Sequence, residues 1–173
     1  MIEFHKKWIT NSCLIIKENY QKINMLDQEI GDGDHGTTIL RGLEEAVSHF
    51  RANNEFDNSI SFMNEISKLM RISMGGASGI LMTIFFKELG NLNLNDLYNS
   101  ILTTFSNTIN KIETRGKVNF GDKSFLDIYV PIHQELIQNN LIDFDKIITK
   151  IDESLEYTKS LEARVGRAKF LDS

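Results

Sequence analysis

The 173-residue chain holds one proline, one cysteine and eleven glycines, and has neither an excess of basic charge nor a long apolar run. Each shortage narrows what it can be. Cys13 has no second cysteine to pair with, and its place inside a helical pattern marks it as a small core residue. A net charge of −5 leaves no basic stripe to release counterions, so nucleic acid is not an expected partner. No apolar stretch approaches the roughly 18 residues of a membrane span. The N-terminus, with Glu3 and His5 and no apolar h-region, does not read as a signal peptide. The expectation is a soluble cytoplasmic protein, with 41% apolar residues to build a core and a length that suits one domain over 1–173.

Absent too is the alternation of period two that marks strands, and no Asn-Gly or Asp-Gly turn joins β-branched runs. Between the glycines the apolar spacing is three to four throughout. The first stretch runs Phe4, Trp8, Ser12, Ile15/Ile16, Asn19, Ile23. The second shows Ile39, Leu40, Leu43, Val47 and Phe50, and the third Ile60, Met63, Ile66, Leu69 and Met70, capped by Asn58 or Ser59. A fourth starts at Ala77 and ends at Gly90, and a fifth follows Asn95 as cap through Leu97, Phe105 and Ile112. The sixth carries Phe125, Ile128, Ile132 and Leu136, and the last Phe144 to Leu161. The chain is therefore all-α. Pro131 cannot donate its backbone hydrogen bond, so the sixth helix kinks there or starts just before it.

What glycine there is gathers at 31–42, 75–79 and 116–121. The first cluster lies in Asp27-Gln-Glu-Ile-Gly-Asp-Gly-Asp-His-Gly, where Asp27, Asp32 and Asp34 crowd into eight residues ahead of His35, Thr37 and Thr38. Packing acids this tightly costs Coulomb repulsion that a hard divalent cation offsets, since Mg²⁺ is held by a few carboxylates and keeps positions for water or phosphate. Gly31, Gly33 and Gly36 satisfy the dinucleotide fingerprint, but a helical pattern precedes them where a strand is required, and acids occupy the intervening positions. A calcium loop starting at Asp32 fails at Gly36, Thr37 and Leu43. A solvated acidic turn between helices is the remaining alternative. The other clusters also lie by helix starts, where free N–H groups and the dipole favour phosphate. Gly75-Gly-Ala-Ser-Gly79 would let backbone amides and the Ser78 hydroxyl approach anionic oxygens, and Gly116 to Phe125 precedes the sixth helix.

These blocks, with Gly121-Asp-Lys-Ser-Phe, Asp127, Pro131 and Ala163-Arg-Val-Gly-Arg-Ala, run in order over almost the whole chain, and together the sequence resembles the nucleotide-binding L subunit of dihydroxyacetone kinase. The resemblance implies an antiparallel helical barrel or bundle of seven or eight helices with the nucleotide site at one end. It implies two Mg²⁺ ions held by Asp27, Asp32 and Asp34, bridging the phosphates of a tightly bound ADP or ATP. His35, Gly36, Thr37 and Thr38 would line the nucleotide, Ala77 and Ser78 would hold the phosphates, Gly116 and Phe125 would flank adenine or ribose, and Arg167 would be a further contact. Lys123 and Arg164 read more simply as surface charge.

The implied activity is that of a kinase or phosphotransferase in glycerol metabolism. The γ-phosphoryl passes to dihydroxyacetone on a partner K subunit, and ADP is recharged in place by a phosphohistidine-carrying M subunit of the phosphotransferase system. No residue is assigned as a general base, because alignment and charge neutralisation by metal carry such a transfer. A non-catalytic regulator docking on a kinase subunit or a transcription regulator, and the related domain of a fatty acid kinase, are the alternatives, and a homodimer is left open. In the family a Gly-His and Asp-Pro-Gly-like stretch and a final helix follow the Gly-Arg-Ala block. Here the sequence stops at Ser173, so the cap over the nucleotide is expected to be missing.

Overall fold

The computed structural model describes residues 1–53 and 55–170, which contain seven α-helices, two short 3₁₀ turns and no strand. None of these helices is long and apolar enough to cross a membrane. The chain forms two compact units, 1–91 and 92–173.

The first unit holds α1 (Ile2–Gln28), α2 (His35–Ala52), α3 (Ser59–Met74) and α4 (Gly76–Leu89). Its core is Ile9 and Cys13 of α1, Leu43, Ala46 and Phe50 of α2, and Phe62, Met63, Ile66 and Met70 of α3, with Ile84, Phe86 and Leu89 of α4 also buried. The α1 stripe is turned one residue from the spacing read in the sequence. His5, Ile9 and Cys13 face inward while Phe4 and Ile15 are exposed, because a histidine occupies the first core position and disguises the stripe. His5 is 1% exposed, and its Nε2 lies 2.7 Å from the Ser59 hydroxyl at the start of α3. Burial first, and the nearby N-terminal charge second, lower its pKa to about 4. Asn58 caps α3 in a reciprocal box: its side chain accepts from Ser61 N–H at 2.9 Å, and its own N–H donates to Ser61 Oγ.

The contacts fix an up-down-up-down order. His5–Ser59 sets the starts of α1 and α3 at one end, and the Trp8 ring reaches Phe86 near the end of α4, with centroids 5.3 Å apart. The α1/α2 and α3/α4 connections therefore share the opposite end. There the Arg41 Nε donates to the Ser73 carbonyl at 2.8 Å, tying α2 to the last turn of α3. Where α1 and α2 cross, a Cβ on Gly36 would collide with the Tyr20 carbonyl oxygen, so only glycine allows the helices this close.

The second unit holds a 3₁₀ turn (Leu94–Asp96), α5 (Leu97–Gly116), α6 (Leu126–Asn139), α7 (Phe144–Lys159) and a 3₁₀ turn (Arg167–Phe170). The cap expected at Asn95 lies two residues earlier. Asn93 accepts from Asn95 N–H at 3.0 Å, and the 3₁₀ turn intervenes before α5. Gly90 follows α4 with right-handed φ −59°, so the chain turns there without a left-handed cap. Pro131 sits inside α6, which begins only five residues before it, and Tyr98 ties α5 to α6 through the Leu136 carbonyl at 3.0 Å.

Candidate metal centre

Asp27 stands one residue from the end of α1, and Asp32 and Asp34 lie in the loop that delivers the chain to α2. Each offers a carboxylate oxygen within 4.8 Å of the other two; Asp27 is half-buried and the others are exposed. At that spacing each pair of charges repels by about 1 kcal/mol in water and ~3 kcal/mol at an effective dielectric near 20. A set of three hard oxygen donors suits Mg²⁺ or Ca²⁺ and not a thiolate-seeking or imidazole-seeking metal.

The loop is built around Asp27. Its Oδ2 accepts from the backbone N–H of Asp34 at 3.1 Å and of His35 at 3.4 Å, taking two of the donors that open α2. Gly31 N–H donates to the Asp27 carbonyl at 2.6 Å, and a Cβ on Gly31 would stand 2.5 Å from Asp27 Oδ1. Glycine at 31 thus keeps that second oxygen open. Gly33, with φ +73°, makes the turn between the two loop aspartates. Further along, Asn24 grips Thr37: Thr37 N–H donates to Oδ1 at 3.0 Å, and Nδ2 donates to the Thr37 hydroxyl at 2.8 Å. Of the next residues, Thr37 is exposed, His35 is half-buried, and Gly36 and Thr38 are buried.

At the same end of this unit Gly75 and Gly76 open α4 with φ +65° and +61°, and nothing lies within 4 Å of a side chain built on either. Ala77 and Ser78 follow in the first turn of α4, where backbone N–H groups lack intrahelical acceptors. The side chains of Ala77, Ser78 and Arg167 lie outside the described residues.

The remaining expected residues belong to the second unit. Gly116 is the last residue of α5, followed by left-handed Lys117, so this glycine closes a helix and does not open one. Phe125 immediately precedes α6, with its ring stacked on Tyr129 at 6.0 Å. Burial pushes the Tyr129 hydroxyl up to about 12.

From Asn119 to Asp127 two acids that the sequence pattern had left without a role hold the turn into α6. Asp127 is fully buried and accepts from Gly121 and Ser124 N–H, each at 2.6 Å. Asp122 accepts from Asn119 N–H at 2.7 Å and lies 3.9 Å from the Arg164 guanidinium. Lys123 donates to the Leu161 carbonyl at 3.1 Å. Ser124-Phe-Leu-Asp127 ahead of an apolar run has capping-box spacing, and that signal would have found Asp127.

Residues 29–173 match the DAK2 domain. The ADP-binding subunit DhaL of PEP-dependent dihydroxyacetone kinase 1 from Listeria innocua is 31% identical over 171 residues, covering 95% of this chain and 81% of that one. The corresponding Escherichia coli K12 subunit is 30% identical over 177 residues, covering 95% and 82%. Among solved structures, the dihydroxyacetone kinase from C. freundii in complex with AMP-PNP and Mg²⁺ superposes with a TM-score of 0.71 at 21% identity, over 90% of this chain and 28% of that one. That likeness shows the fold.

Proposed function

The chain belongs to the DAK2 domain family, and from that membership and the acidic loop we propose that it is the nucleotide-binding subunit of a dihydroxyacetone kinase. The observation that carries the reading is the convergence of Asp27, Asp32 and Asp34 to within 4.8 Å at the start of α2. In this reading those carboxylates hold Mg²⁺, as two ions, against the phosphates of ADP or ATP. The metal supplies charge neutralisation and in-line alignment of the γ-phosphoryl.

The residues of the chain do the holding. Asp27 keeps one oxygen on the backbone and presents the other. His35 and Thr37 stand beside the phosphates at the start of α2, with Gly36 and Thr38 forming the turn beneath them. The first turn of α4, at Ala77 and Ser78, offers amides at a positive dipole end. By the family resemblance alone, Gly116 and Phe125 would flank adenine or ribose and Arg167 would be a further nucleotide contact. The triose acceptor sits on a separate K subunit, and a phosphohistidine-carrying M subunit recharges ADP in place. This division of labour, in the cytoplasm, belongs to the same proposal; what supports it is that the relatives in Listeria innocua and Escherichia coli are ADP-binding subunits of PEP-dependent kinases.

The test mixes the purified chain with Mg²⁺, ATP and a K subunit loaded with dihydroxyacetone, and follows single-turnover formation of the triose phosphate. Transfer within one turnover is expected. Retained nucleotide without transfer would instead mark a regulator that docks without catalysing, and a chain that binds no nucleotide in Mg²⁺ would overturn the assignment altogether.

A further inference from the structure

Threonine hydroxyls in the helices of this protein mostly turn back on their own backbone. Those of Thr10, Thr83, Thr103, Thr114, Thr149 and Thr158 each donate to a carbonyl three or four residues earlier, at 2.6–2.9 Å. Thr37 departs from this habit, and Asn24 is the reason.

The Thr37 N–H donates to one end of the Asn24 amide, so that end must be the oxygen and the other the NH₂. The NH₂ then donates to Thr37 Oγ1, which is the acceptor in this pair. Its own proton cannot point at Asn24. Among the described residues that hydroxyl donates to none, and Thr37 is exposed at the start of α2. The backbone donors nearby are already engaged: Asp34 and His35 N–H by Asp27, and Thr37 N–H by Asn24. This helix start therefore offers an anion a directed hydroxyl in place of those three amides.

We propose that Asn24 is a positioning residue that fixes the Thr37 hydroxyl as an acceptor toward α1 and so aims its proton at a phosphate oxygen of the bound nucleotide. The inference rests on the nucleotide-binding reading above. It explains why a neutral amide, with a donor as well as an acceptor, stands one helical turn before Asp27. A carboxylate there could still accept from Thr37 N–H, but the hydroxyl would turn and donate to it.

Five proteins test this by calorimetric titration of ADP in saturating Mg²⁺: wild type, Asn24→Asp, Thr37→Val, the double variant of those two, and Thr37→Ser. Asn24→Asp and Thr37→Val are each expected to weaken binding about tenfold, the scale of one lost hydrogen bond. The double variant is expected to bind no more weakly than either single one, because both remove the same proton from the ligand. Thr37→Ser, which keeps the hydroxyl, should bind like wild type, and the ligand-free melting temperatures should stay together. Wild-type affinity in Asn24→Asp, or losses that multiply in the double variant as an added charge or general loosening would produce, overturns the proposal. So does a Thr37→Ser protein as weak as Thr37→Val. A wild-type protein that binds no ADP would instead overturn the functional reading on which the inference rests.

Discussion

Asp27 divides its carboxylate between the backbone of α2 and the open face of the loop, and Gly31 decides whether the second oxygen can be reached. Gly31→Ala places a Cβ 2.5 Å from Asp27 Oδ1, too close to stand without moving the acid. The affinity for Mg²⁺-ADP should fall at least about tenfold while the ligand-free melting temperature barely changes; calorimetry and thermal melts check both. His5 offers a test at acid pH. Its folded pKa, near 4, lies below the ordinary histidine value of 6.5, so the unfolded chain binds the proton more readily. Stability from this group is whole above pH 6.5 and is lost as pH falls toward 4, by no more than about 3 kcal/mol at 1.36 kcal/mol per unit. Urea titrations of wild type and His5→Phe from pH 7 to 4 should diverge in that window, and parallel curves would sink the assignment. Single residues were unevenly legible in the sequence. The crowding of Asp27, Asp32 and Asp34 announced itself, whereas Asn24 and Asp122 look like any polar surface residues until the fold brings partners 13 and 3 residues away onto them.

Helices were the easiest elements to read, because a three-to-four spacing survives any error about which residue faces inward. The one-residue rotation of α1 shows the weak point of that reading: a stripe containing His5 scores as polar although the imidazole is buried. Starts and stops followed local chemistry that spacing does not see, such as the reciprocal Asn58–Ser61 box or the 3₁₀ turn that displaces the start of α5. The stretch from Gly121 to Asp127 behaves as one element held by one carboxylate. Asp127→Ala leaves two N–H groups, those of Gly121 and Ser124, without their acceptor. At about 1–3 kcal/mol for each buried group so orphaned, a loss of about 3 kcal/mol in denaturant stability is expected. A loss under about 1 kcal/mol would mean that water reaches those donors and the turn is held by other contacts.

On the scale of the chain, two compact units each carry part of the sequence pattern that matched the family. Membership was legible because its blocks recur in order from Asp27 to Ala168, while the division at residue 91 follows from contacts that no local motif encodes. A ligand that binds only the folded chain must stabilise it: ADP at a hundred times its dissociation constant should add about 2.7 kcal/mol. That gain should vanish when Mg²⁺ is chelated, as paired thermal melts can show. Within the first unit, α2 is gripped twice, by Asp27 at its start and by Ser73 through Arg41 further along. The helix between those grips acts as a gauge between the aspartate loop and the Gly75–Gly76 turn. One residue inserted between Thr37 and Arg41 would rotate one loop against the other by about 100° and lengthen the gap by ~1.5 Å. Every hydrogen bond on either side could re-form, yet under the proposed nucleotide-binding reading the two loops would no longer meet the same phosphates, so that reading makes the count of residues in this stretch part of the site.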